Sequence, residues 1–396
     1  MIDTEASLTT LPPLVEPAVE LTSAEVERYS RHIMIPEIGA IGQRRLKMAR
    51  VLVVGAGGLG SPVLLYLAAA GIGTIGIIDD DTVDLSNLQR QVIHGVSDIG
   101  RQKLESARRA VAELNPLVEV RLHHTRLDST NACELFADYD LIVDGSDNFA
   151  TRYLVNDATA LLGKPYVWGS IYRFEGQVSV FWEKNGPNYR DLYPEAPPAG
   201  SAPSCGEGGV FGMLCGAVGS IMVSETVKLI TGVGRTLLGR VLLFNALTSS
   251  WREVTIAADP ARTPVTELVD YEAFCGMGDA VVDATESGLT VHELNAMLDA
   301  RARGECDFDL IDVREPAERE IVHIPGSRLI PQGRFVAGAA LSDLPLERTI
   351  VLYCKAGARS VAVLADLRRH GYSRVTHVPG GVLAWVTEID PSLPRY

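Results

Sequence analysis

Little in this sequence points to a membrane, a secretory route or nucleic acid. No apolar run approaches the length needed to cross a bilayer. The opening residues, MIDTEASLTTLPPLVEPAVE, lack the basic region and apolar stretch of a signal peptide, so residues 1–20 are expected to form a flexible leader. Basic side chains are outnumbered, 36 Lys and Arg against 50 Asp and Glu. The resulting formal charge of −14 argues against a general nucleic-acid binder. A cytoplasmic protein is the simplest expectation. Cysteine is sparse too: there are 6, and no two are separated by two residues, so zinc-ribbon spacing is missing. A chain of 396 residues has no need of disulfides, and the scatter of its cysteines matches no disulfide framework.

What is present is enough apolar material, 46%, for the cores of two or three domains. Thr22-x-x-Glu25 predicts a helix start just after the leader. The stretch ARVLVVGAGGLGSPVLLYLAAAGIGTIGIIDDD predicts strand 51–55, a glycine turn, helix 59–70 and a strand at 74–79. Strand–helix alternation continues through DLIVDGSDNF and PYVWGSIY, which implies a Rossmann-like, doubly wound α/β domain over 21–251. Prolines, acids and small residues over 252–284 suggest a linker. A second, smaller α/β pattern then fills 285–396, with strands in FDLIDV, TIVLYC and RVTHVP and a helix in RSVAVLADLRRH.

Gly55-x-Gly57-x-x-Gly60 follows a strand and opens a helix, the setting in which backbone N–H groups meet phosphate. Asp79, 19 residues beyond Gly60, ends the next strand, where a carboxylate can accept ribose hydroxyls. These features predict a nucleotide site without separating NAD from ATP. Ser86, Asn87, Arg90 and Gln91 follow, then Lys103, and this positive charge suits a triphosphate better than a dinucleotide. Asp147 and Asn148 lie beyond another strand end, where a carboxylate could hold Mg²⁺ against phosphates. Each of these residues singly is more often a solvated loop charge.

RYSRHI, VGAGGLGS, DLSNLQRQ and DGSDNF, in this order, resemble the MoeB/ThiF family of adenylyltransferases, relatives of ubiquitin-activating enzymes, over roughly 21–250. The resemblance implies ATP, Mg²⁺ and a small ubiquitin-like sulfur carrier protein (MoaD/ThiS-like) whose terminal Gly-Gly carboxylate attacks the α-phosphorus. It places Gly58 against the phosphates and Asp79 on the ribose. Ser86, Asn87, Leu88, Gln89 and Arg90 would line the nucleotide, with Lys103 on the phosphates. Asp147 would be the magnesium ligand, with Asn148 beside it, and Arg31 would be supplied across a homodimer interface. Where many relatives hold zinc in two Cys-x-x-Cys pairs, this chain has Asn188, Asp191 and only Cys275, so no zinc site is expected. Cys205, in APSCGEGGVFG, matches a cysteine that can form a thioester with the carrier.

In the second domain, YCKAGARS puts Cys354 and Arg359 around a strand-to-helix loop. Such a loop can hold a phosphate or carry sulfur on the cysteine, and backbone N–H groups with Arg359 would favour a thiolate or persulfide. With DLIDVREPAEREIVHIPGSRLIP, which contains Asp312, Arg314, His323 and Gly326, the segment resembles a rhodanese-like sulfurtransferase domain. Lys355, Ala356, Gly357 and Ala358 make a smaller ring than related phosphatases use, which favours a single sulfur. The combined expectation is a carrier adenylyltransferase and sulfurtransferase fed by a cysteine desulfurase or thiosulfate. Molybdopterin, thiamin, cysteine and tRNA sulfur supply all stay open. An NAD-dependent oxidoreductase with a regulatory domain and a non-catalytic carrier-binding scaffold are the alternatives.

Overall fold

The run RVLVV becomes β1, Arg50–Val54, whose last four residues are buried, as a strand covered on both faces must be. A computed structural model describes residues 11–197, 209–275 and 288–396. These divide into two compact units, Met1–Cys275 and Gly276–Tyr396. In the first, β1 pairs in parallel with β2, Thr74–Ile78, and with β4, Leu141–Asp144. β3, Glu119–His123, extends the parallel sheet on one side and β5, Tyr166–Tyr172, on the other. Three antiparallel strands then complete an eight-stranded sheet: β6, Glu175–Phe181, β7, Arg240–Asn245, and β8, Ser250–Thr255. The order β3-β2-β1-β4-β5-β6-β7-β8 reverses direction of growth at β1 and β4, and ligands bind at such a switch point.

Separate apolar clusters cover the two faces of this sheet, one around Val53, Leu67 and Met222, the other around Leu52, Tyr153 and Trp168. The helix Gly60–Ala70 can lie on the strand it follows only because residue 60 is glycine. A Cβ there would sit 1.9 Å from the Gly55 carbonyl oxygen. The expected capping box is formed, with Thr22 Oγ1 accepting the Glu25 N–H at 3.2 Å and Glu25 accepting that of Thr22 at 2.6 Å.

Three features differ from expectation. Residues 11–20 are laid against the domain: the Leu14 N–H donates to the Leu229 carbonyl at 3.0 Å, and Arg44 donates to the Pro17 and Val19 carbonyls. The expected linker begins inside β8, and Tyr271–Cys275 packs on the first unit, where the Tyr271 hydroxyl donates to Asp157 at 2.7 Å. The contacts that hold both segments come from residues far away in the chain, which hid them. The helix Met213–Thr231 is long and apolar enough to cross a membrane by length and composition. Here it is a core helix: Leu214, Val218 and Met222 join the sheet cluster, and its buried Glu225 accepts the Leu237 N–H at 2.7 Å.

The second unit is a four-stranded parallel sheet in the order β10-β9-β11-β12. Its strands are β9, Asp309–Asp312, β10, Arg328–Leu329, β11, Ile350–Tyr353, and β12, Val375–His377. At its centre Arg314 and Asp312, both fully buried, form a two-pronged ion pair at 2.6 and 2.8 Å. Removing one member of such a pair costs about 3–5 kcal/mol, since the other charge is left buried. Arg314→Met is therefore expected to lower the second unit's calorimetric transition by ~10 °C or more and to leave the first unit's unchanged.

Candidate functional site

Beyond the carboxyl ends of β1, β2 and β4 lies a cleft of about 440 Å³. Its floor is the glycine loop. Gly55 holds φ at +89°, and Gly57 and Gly58 face the cleft. A Cβ at Gly58 would stand 2.8 Å from the Cys215 sulfur, so the loop cannot retreat from a ligand if that position gains a side chain. Asp79, just past β2, accepts the Ala56 N–H and the Asp81 N–H, each at 2.8 Å. Burial pushes its carboxyl up, while Lys103 and these two N–H groups act against that. Lys103 opens the helix Lys103–Leu114 and pairs with Asp81 at 2.7 Å. A ribose or phosphate group entering here meets a carboxylate and an ammonium already held in place.

Of the residues singled out in sequence, the cleft brings together Gly58, Asp79, Arg90, Lys103, Asp147 and Asn148. Asn148 also caps the helix Phe149–Leu162, accepting the Thr151 N–H at 2.8 Å, which positions Asp147 at the cleft wall. Ser86, Asn87, Leu88 and Gln89 are not among the cleft's walls. They form a tight turn that secures Arg90, whose guanidinium donates to the Ser86 carbonyl at 3.0 Å. Gln89 lies instead where a side chain on Gly212 would strike it. Arg31 is exposed on the helix Ser23–Ile33, with the Met34 sulfur 3.8 Å from its guanidinium. Cys205 lies outside the described residues.

Two cleft arginines went unnoticed in sequence, Arg126 and Arg152. Arg126, from the loop after β3, pairs with Glu272. Arg152 is buried with its guanidinium over the rings of Phe149 and Trp168, and its Nε has no partner among the described residues. Its place one turn beyond Asn148 was the available signal. Asp144, at the end of β4, is fully buried with one oxygen unpartnered among the described residues, and burial pushes its carboxyl up.

Magnesium asks for one or two carboxylates with phosphate oxygens and water, which Asp147 beside a bound nucleotide fits. No cluster of three or more metal-ligating side chains exists among the described residues. The zinc positions do not fit a thiolate site. Asp191 receives Arg262 at 2.9 Å, Asn188 donates to Glu183 at 2.6 Å, and Arg262 also pairs with Glu183 at 2.8 Å. An ion network ties these segments together, and Cys275 is buried with its thiol pushed up by that burial.

In the second unit, Cys354 follows β11 and is 1% exposed, and the Gly357 N–H donates to its sulfur at 3.0 Å. Gly357 reaches that position with φ at +112°, and the helix Ala358–Arg369 starts immediately after it. The helix Gly381–Glu388 braces the loop from the other side, Val382 and Leu383 donating to the Cys354 and Lys355 carbonyls at 2.9 and 3.1 Å. Arg359 differs from expectation: its guanidinium is bound two-pronged by Glu318 at 2.7 and 2.8 Å, so its charge is largely compensated. Lys355, inside the loop, lies 4.6 Å over the Tyr396 ring.

A model of the ThiF family matches residues 29–265, and one of the rhodanese-like domain matches 290–388. The "Probable adenylyltransferase/sulfurtransferase MoeZ" of Mycobacterium tuberculosis is 58% identical over 394 residues, 98% of this chain and 100% of that one. The chain belongs to the ThiF family. This ThiF-family chain, with its rhodanese-like domain, is a bifunctional adenylyltransferase and sulfurtransferase, and that family implies use of ATP. A "Sulfur carrier protein adenylyltransferase" of Thermus thermophilus is 51% identical over 65% of this chain and 98% of its own. "Adenylyltransferase and sulfurtransferase MOCS3" of Culex quinquefasciatus is 41% identical over 95% and 91%. Escherichia coli MccB, at 21% identity, shares the fold with a TM-score of 0.53 over 60% of this chain and 74% of its own.

The contact at Gly58 gives a direct test of the cleft. Gly58→Ala should weaken ATP binding by roughly tenfold or more, as overpacking of 1–3 kcal/mol would. Adding Cys215→Ala, which removes the opposing sulfur, should restore much of it in a calorimetric titration.

Proposed function

We propose that this ThiF-family enzyme activates the C-terminal carboxylate of a ubiquitin-like sulfur carrier and replaces its oxygen with sulfur carried on Cys354. The observation that supports this most is the pairing in one chain of a glycine-loop cleft bearing Asp79, Lys103 and Asp147 with a cysteine held in a strand-to-helix loop. The named relatives include a sulfur carrier protein adenylyltransferase, which fits the first half.

The carrier's terminal carboxylate oxygen attacks the α-phosphorus of ATP, and pyrophosphate leaves. Lys103 and Arg90 offset charge on the phosphates, and Asp79 fixes the ribose. Mg²⁺, held by Asp147, would supply further neutralisation of the phosphate oxygens. Arg31 completes the site across a homodimer interface, consistent with its exposure. Cys354 takes sulfur from a donor, a cysteine desulfurase or thiosulfate, as a persulfide. The persulfide's terminal sulfur attacks the acyl carbon and AMP leaves, giving an acyl disulfide. A second thiol, for which Cys205 is the family match, attacks the Cys354 sulfur. The carrier thiocarboxylate departs, and an external thiol reduces the remaining disulfide.

Asp147→Ala should abolish carrier-dependent ATP–pyrophosphate exchange, whereas Cys354→Ala should leave that exchange near normal. With Mg-ATP and a sulfur source, the wild type should shift the carrier's mass by the difference between sulfur and oxygen, and Cys354→Ala should not. Exchange surviving in Asp147→Ala, or thiocarboxylate formed by Cys354→Ala, contradicts the assignment.

A further inference from the structure

A buried chain of three contacts runs from the glycine loop through the helix Lys103–Leu114 to Asp98. His94 Nε2 lies 3.0 Å from the Ala56 carbonyl oxygen, and its Nδ1 lies 2.8 Å from Ser106 Oγ. Ser106 Oγ lies 2.7 Å from Asp98 Oδ2. Asp98 also accepts the Gly95 N–H at 3.0 Å, and Arg109 pairs with its other oxygen. His94 is 6% exposed and Ser106 2%, so these contacts have little access to solvent.

Both ends of this chain are acceptors, a carbonyl and a carboxylate. Burial pushes the Asp98 carboxyl up, but the Gly95 N–H, Ser106 and Arg109 outweigh it and hold the group below its ordinary range. Three contacts between acceptors at the ends need three hydrogens. Ser106 brings one, a neutral imidazole one more, and an imidazolium two. With a neutral ring, one contact sets lone pair against lone pair. Only the imidazolium satisfies all three.

Burial nonetheless pushes the His94 ring down, and the Lys103 ammonium adds to that, against the Ala56 carbonyl and the Asp98 charge. Those are the charged groups that face it: Lys103, Asp98 with Arg109 behind it, and, across Ala56, Asp79. Lys103 also lines the cleft. A triphosphate placed against Lys103 offsets its charge and lifts the electrostatic penalty on His94.

We propose that His94 is a positioning residue for nucleotide binding, which takes up a proton from solvent when nucleotide arrives and so donates to the Ala56 carbonyl and to Ser106 at once. This rests on the reading of the cleft as an ATP site. In a trans peptide the carbonyl and the next N–H point in opposite directions. Holding the Ala56 carbonyl therefore turns the Gly57 N–H away from His94, and Gly57 lines the cleft. Asp79 holds the N–H of the same alanine, so Ala56 is gripped on both sides.

The test is calorimetric titration of the full-length chain with ATP near neutral pH, in two buffers of different ionisation enthalpy. The wild type should show net proton uptake on binding, and His94→Gln should lack that component and bind about tenfold more weakly. Protonation of ATP itself contributes equally to both. Wild-type affinity should also rise relative to that of His94→Gln as pH falls through the His94 ionisation. In wild-type protein labelled with ¹⁵N-histidine, both His94 nitrogens should be protonated with nucleotide bound, which keeps the test open if the variant does not fold. Equal proton uptake by the variant, or a neutral His94 tautomer with nucleotide bound, overturns the inference. Absence of ATP binding by the wild type overturns the nucleotide reading and this inference with it.

Discussion

The hydrogen bond from the Ala56 N–H to Asp79, at 2.8 Å, is the contact on which the glycine-loop cleft depends. It joins the end of β2 to the glycine loop after β1, two segments that the parallel sheet already places side by side. The carboxylate proposed to meet the ribose thereby also fixes the loop proposed to meet the phosphates. The constraint is reinforced below by Gly60, where a Cβ would stand 1.9 Å from the Gly55 carbonyl oxygen. Backbone N–H groups can be aimed at a ligand only if the loop has no other conformation to adopt.

The second unit solves a related problem differently. Its cysteine loop is braced by backbone hydrogen bonds from the helix Gly381–Glu388 and by the Gly357 N–H on the sulfur itself. Positive charge near the loop is balanced, with Arg359 on Glu318 and Arg314 on Asp312. The Cys354 sulfur therefore receives the Gly357 N–H, and Lys355 is the cation carried within the loop. A site built this way suits a sulfur carried covalently, since it does not have to hold a multiply charged oxyanion by ion pairing.

Much of this was legible in the sequence because it depends on spacing along one segment. The strand–glycine–helix unit, Asp79, Lys103 and the Cys354 loop are local patterns, and the chain folds each of them as read. What escaped depends on residues brought from afar. Glu318 binds Arg359 across 41 positions, and His94 reaches Ala56 across 38, so neither partner is visible from its own neighbourhood. The strand β8 escaped for a different reason, since it is exposed along its whole length and offers no alternating pattern. Ser86–Gln89, which the resemblance places along the nucleotide, also form the turn that secures Arg90, a role that sequence reading did not show.

The central claim is that sulfur on Cys354 becomes the sulfur of the activated carrier. It is tested most directly by loading the full-length chain with a heavy sulfur isotope, removing the donor, and adding carrier and Mg-ATP with no other sulfur source. The account predicts that heavy sulfur leaves Cys354 and appears in the carrier's terminal thiocarboxylate only when ATP is present. Heavy sulfur retained on Cys354 while the carrier is adenylated would contradict it.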